Sequence, residues 1–90
     1  MNKTIYKFPI EVIDDSQITL PKNAEILCVQ MQDGNPYIWV MIDKGEKKAE
    51  VRHFCLFGTG HPFALLDYKY IGSFQMYAGS LVFHLFETNI

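Results

Sequence analysis

The sequence predicts an all-β domain: a compact antiparallel β-sandwich or small barrel of six to seven strands, mostly β with at most one short helical turn. Three observations carry that expectation. Apolar residues recur with a period of two over short runs, as in strands that bury a face. Clusters containing Gly, Pro, Asn or Asp separate those runs. Aromatic residues make up 14% of the chain and hydrophobic residues 49%, a supply that suits pleated, half-buried surfaces.

The elements follow in order. "KTIYKFP", residues 3–9, sets Thr4, Tyr6 and Phe8 against Lys3, Ile5 and Lys7, the alternation of a strand. Pro9 suits its end or a sheet edge, because it cannot donate to a ladder. "DDSQITLP" gives a turn and a short strand over 17–20, and Pro21-Lys22-Asn23 breaks the chain again, so this first pair is expected at the rim of the sheet. "AEILCVQMQ", 24–32, places Leu27, Val29 and Met31 on one side and Ile26 and Cys28 on the other. With both sides apolar, it is expected as a central strand. "DGNP", 33–36, is a turn that joins it to "YIWVMID" in a hairpin. The charged turn "KGEKK", 44–48, leads to "AEVRHFCLF", expected as the third strand of the same meander. "FALLDYK", 63–69, is the stretch that could form a helical turn, and it is too short to be a stable helix alone. "YIGSFQMYAGSLVFHLFE" reads as a hairpin with strands near 70–76 and 81–87 around a turn at 77–80.

Ninety residues make a single β domain over 1–90. Strands apolar on both sides exceed what a two-layer fold needs, so the second side is expected to be covered by loops or by another copy in a homo-oligomer. A net charge of −2 and a pI near 5.8 argue against strong, sequence-independent nucleic-acid binding. Cys28 and Cys55 lie inside apolar strands without a CxxC spacing, which points to free thiols in a reducing compartment. No apolar run reaches membrane-spanning length and "MNKTIYKFPI" lacks a signal-peptide core, so the expected location is cytoplasmic, without membrane association.

The best site candidate is the loop in "FCLFGTGHPF". Gly58 and Gly60 can enter positive-φ conformations and bare their N–H groups, Thr59 adds a hydroxyl, and His61 adds a donor or base. Tyr68 and Tyr70 lie close along the chain and keep one polar end for a ligand or partner. No Lys-Ser/Thr follows the glycines, so the loop is no phosphate-binding P-loop, and a tight turn closed by His-Pro is the competing reading. His53 and His84 fall inside strands, where a hydrogen-bonded imidazole is the common fate. No spacing suggests a metal site, no cofactor is expected, and no serine, cysteine or carboxylate stands in a catalytic context, so no catalytic residue is assigned.

The start "KTIYKFPIEV", the segment "PKNAEILCVQMQDGNPYIWVMID", the loop "FGTGHP" and the ending "YIGSFQMYAGSLVFHLFE" together resemble a family of short, uncharacterised proteins of phages and prophages. The resemblance covers nearly the whole chain and brings no catalytic residues with it. It implies a small, non-catalytic binding protein in the host cytoplasm that counters host defence, its partner being a host defence protein or a nucleotide signal. A structural or accessory virion protein is the alternative. A small hydrolase using His61 is the least favoured expectation.

Overall fold

A computed structural model describes residues 2–65 and 67–89. The strands are β1 (Lys3–Pro9), β2 (Asp15–Pro21), β3 (Glu25–Gln32), β4 (Asn35–Asp43), β5 (Ala49–Gly58), β6 (Tyr68–Met76) and β7 (Leu81–Thr88). All pairings are antiparallel and form two sheets, β1-β4-β3 and β2-β5-β7-β6, with no closed barrel among the described residues. The fold is thus an all-β sandwich of seven strands. No helix forms over residues 61–65, and Tyr68 already belongs to β6; Leu66, within the expected helical turn, lies outside the described residues.

Two expectations about strand placement are corrected. β3 is an edge strand, not a central one. Its register against β4 slips between Ile26 and Cys28, a β-bulge at Leu27. The slip turns both Ile26 and Val29 inward and leaves Leu27 41% exposed, so apolar residues of both parities appear without two buried faces. β5, in turn, is not the third strand of the β3–β4 meander. β4 already has β1 and β3 on its two sides, so the chain crosses through residues 44–48 to the other sheet, where β5 pairs with β2 and β7. β1 and β2 do lie at rims, one in each sheet.

Between the sheets lie Ile26, Val29, Ile38, Val40 and Ile42 from the first and Leu20, Phe54, Leu56, Phe74 and Leu85 from the second. Each such side chain contributes about 1.5–3 kcal/mol on burial. β6 passes close over β3: a Cβ on Gly72 would stand 3.1 Å from Val29 Cγ1. The alternation of β4 puts Ile38, Val40 and Ile42 into this core and leaves Tyr37, Trp39 and Met41 half-buried on the outer face. The second sheet's outer face carries His53, Cys55 and Phe57 from β5, His84, Phe86 and Thr88 from β7, and Tyr68 and Tyr70 from β6, as their pairing register requires.

Candidate functional site

The Gly58–His61 segment is a β-turn that ends β5. The His61 N–H donates to the Gly58 carbonyl at 3.1 Å, and Gly60 adopts φ +87°, which glycine accepts without the strain a Cβ would bring. The His61 ring folds back over Gly58, close enough that a Cβ there would stand 3.1 Å from Nδ1. The Thr59 N–H donates to the Val82 carbonyl at 3.0 Å. The N–H groups of Thr59 and His61 are therefore spent on the turn itself and are not aimed at an anion.

Thr59 and Tyr70, both site candidates of the sequence, meet through His84, which the sequence read as a hydrogen-bonded strand imidazole and not as part of the site. Thr59 Oγ1 lies 2.7 Å from His84 Nε2, and Tyr70 OH lies 2.9 Å from His84 Nδ1. Because the Thr59 hydroxyl also points its proton at the Val82 carbonyl, 3.3 Å away, the network assigns the imidazole proton to Nε2, and Nδ1 accepts from Tyr70. Both ring nitrogens are thereby occupied. The available signal for His84 was register: in the β6–β7 hairpin it stands opposite Ser73, two places along from the Tyr70–Phe86 pair, on the same face.

Around this link the outer face is aromatic. Phe86, 8% exposed, is ringed by Tyr70, Tyr68, Phe63 and Phe57 at centroid distances of 5.1, 5.3, 5.4 and 5.9 Å. Phe63, carried back over the sheet by the segment after the turn, stacks on Phe57 at 4.1 Å and 12°. Edge-on and offset contacts of this kind fix the rings relative to one another. Yet Phe63, Tyr68 and Tyr70 remain 48%, 52% and 49% exposed. Of the sequence candidates, Thr59, Tyr68 and Tyr70 share this face; Gly58 and Gly60 shape the turn beside it, and His61 turns away toward residues 12–15.

Cys55 lies on the same face with its Sγ donating to Asp15 Oδ1 at 3.2 Å. Burial, and then the hydrogen bond and negative charge of Asp15, push this thiol up to about 11, which disfavours the thiolate that a nucleophile needs. Among the described residues no group of three or more His, Cys, Asp or Glu side chains is placed to hold a metal. No described helix is long and apolar enough to cross a membrane.

A family model described as a domain of unknown function (DUF7352) matches residues 1–90. No curated protein matches the chain, and no solved structure matches it.

Proposed function

From the premise that the chain belongs to the domain-of-unknown-function family DUF7352, we propose that it is a non-catalytic binding protein whose aromatic outer face engages a host protein. The observation that carries this reading is the set Phe63, Tyr68 and Tyr70: half-exposed rings held in fixed orientation around Phe86, a surface rich in the residue types that anchor interfaces. A catalytic role is disfavoured by two features. His84 has both nitrogens engaged, and the Cys55 thiol is held protonated. In the phage setting that the sequence resembles, the partner is a component of host defence met in the host cytoplasm. A nucleotide signal stacked on the tyrosines is the second reading, supported by the flat ring faces. It is the weaker one, because the turn spends two N–H groups internally and Lys69 is the sole Lys or Arg after Arg52, leaving little to meet phosphate.

The test compares tagged wild type with Tyr68→Ala, whose ring is half in water and costs little to remove. Quantitative mass spectrometry of proteins co-purified from the bacterial host should show one partner retained by wild type and lost from the variant at unchanged melting temperature. If instead a cyclic or linear nucleotide raises the melting temperature of wild type but not of Tyr68→Ala, the second reading replaces the first. Neither result, together with abundant recovery of the chain in purified virions, would turn the assignment to a structural or accessory virion protein.

A further inference from the structure

The two ends of the sandwich differ in charge. At one end the register brings together the start of β1, the end of β2 and the 44–48 turn: Lys44 N–H donates to the Asn2 carbonyl and Lys22 N–H to the Lys48 carbonyl. Lys3, Lys22, Lys44, Lys47 and Lys48 gather there, and all of them are exposed. The carboxylates of that end are Glu25, Asp43, Glu46 and Glu50. Three of the four are half-buried and turned onto backbone N–H groups: Asp43 accepts from Gly45, Glu46 from Lys48 and Glu50 from Asn23. Glu25 is the one exposed carboxylate among these five exposed ammonium groups.

The opposite end is its complement. Residues 10–15, 33–36 and 54–63 contain no Lys or Arg, and they carry Glu11, Asp14, Asp15 and Asp33, all exposed. Two adjoining hollows run beneath the 11–15 segment and share Ile13 and Asp15. One, about 470 Å³, is floored by Val12, Leu56, Phe57 and Phe83; the other, about 480 Å³, is lined by Glu11, Gln17, His53 and Thr88. Thr88, 4% exposed, packs its hydroxyl against the Cys55 thiol at this wall.

We propose that the chain associates head to tail, with the 44–48 turn of one copy seated in the acidic groove of the next. The lysine stems lie along Val12 and Ile13, and the ammonium groups reach Glu11 and Asp14. The two surfaces sit at opposite ends of strands of seven to ten residues, so the contact is heterologous and builds rings or chains instead of closing a two-fold dimer. It adjoins the aromatic face through Phe57 but needs none of the exposed rings of Phe63, Tyr68 and Tyr70.

Sedimentation velocity tests the proposal. Wild type should gain mass with concentration at about 20 mM salt and return to monomer at about 500 mM, where screening is strong. Lys47→Glu with Lys48→Glu removes one surface, and Glu11→Lys with Asp14→Lys removes the other. Each double variant alone should be monomeric at low salt, whereas an equal mixture should associate again, since each copy keeps one native surface and the two reversed surfaces are complementary to each other. Tyr68→Ala should associate like wild type. Should a charge reversal unfold the chain, Lys47→Gln with Lys48→Gln keeps the test, with an expected loss of association of about tenfold. A monomeric wild type at low salt, association that survives 500 mM salt, or a mixture that stays monomeric would each overturn the proposal.

Discussion

His84 and Cys55 face the same side of the second sheet, and their neighbours give them opposite characters. His84 has a hydroxyl partner on each ring nitrogen, Thr59 on Nε2 and Tyr70 on Nδ1, so the imidazole is held in orientation. Cys55 has a carboxylate as partner and a buried setting, both of which oppose loss of its proton. Its pKa rises from the ordinary 9.0 to about 11. A raised folded pKa sets the sign of the pH dependence. Below pH 9 both folded and unfolded thiols are protonated and the contribution to stability is complete. Between about 9 and about 11 the unfolded thiol ionises first, so stability falls as pH rises through that window. Urea midpoints recorded from pH 8 to pH 11 should therefore fall more steeply for wild type than for Cys55→Ala, and parallel curves would count against the raised pKa. Neither residue announced its surroundings in the sequence. Each sits in an apolar run, and what surrounds it comes from strands distant along the chain: Asp15 is forty positions from Cys55, and Thr59 is twenty-five from His84.

At the scale of elements, the turns and most strand limits were legible because their causes are local. Asp33-Gly34 and Tyr77–Ser80 make their turns with positive φ at Asp33, Gly34, Tyr77, Ala78 and Gly79, close to where the turn residues predicted them. Strand neighbours were less legible, because alternation tells which side chains share a face and not which strand lies alongside. The edges illustrate this. β1 carries Lys3, Lys7 and Pro9, β2 ends on Pro21, β3 is bulged, and β6 combines Lys69 with a register shift between Tyr70 and Gly72. These devices discourage edge-to-edge pairing with other chains. The β3 bulge also yields a prediction that separates the structure from simple alternation. Strict alternation places Leu27 with Val29 in the core, where truncation or charge would cost about 2–5 kcal/mol. In the bulged strand Leu27 points to solvent, so Leu27→Lys should change stability by no more than about 0.5 kcal/mol in urea unfolding, whereas Val29→Ala should cost about 2 kcal/mol.

At the scale of the whole molecule, one side chain ties the sheets together with polar contacts. The Arg52 guanidinium on β5 pairs through Nε and Nη2 with both carboxylate oxygens of Glu87 on β7, while Nη1 donates at 2.8 Å to the Ala24 carbonyl, next to β3 of the other sheet. Glu50 stands 3.6 Å from the same guanidinium and accepts from the Asn23 N–H. The pair is only 17% and 15% exposed, and the hydrogen bond to Glu87 raises the Arg52 pKa against the opposing effect of burial. Nothing local in the sequence marks Arg52: its role depends on where the chain enters β3, which no local pattern specifies. Fork-to-fork geometry and near burial make this pair worth more than a surface ion pair. Glu87→Gln keeps the shape but leaves Arg52 with only Glu50 as counter-charge. That change should cost about 2–4 kcal/mol, near the range for breaking a buried pair. Replacing both partners, Arg52→Met with Glu87→Leu, removes the uncompensated charge and should recover most of that loss, because desolvation of the ions disappears along with their attraction. A double-mutant cycle in urea decides the matter. A coupling energy below about 0.5 kcal/mol would reduce the pair to an ordinary surface contact. A large coupling with a double variant nearly as stable as wild type would show that the ions chiefly fix how the two sheets register.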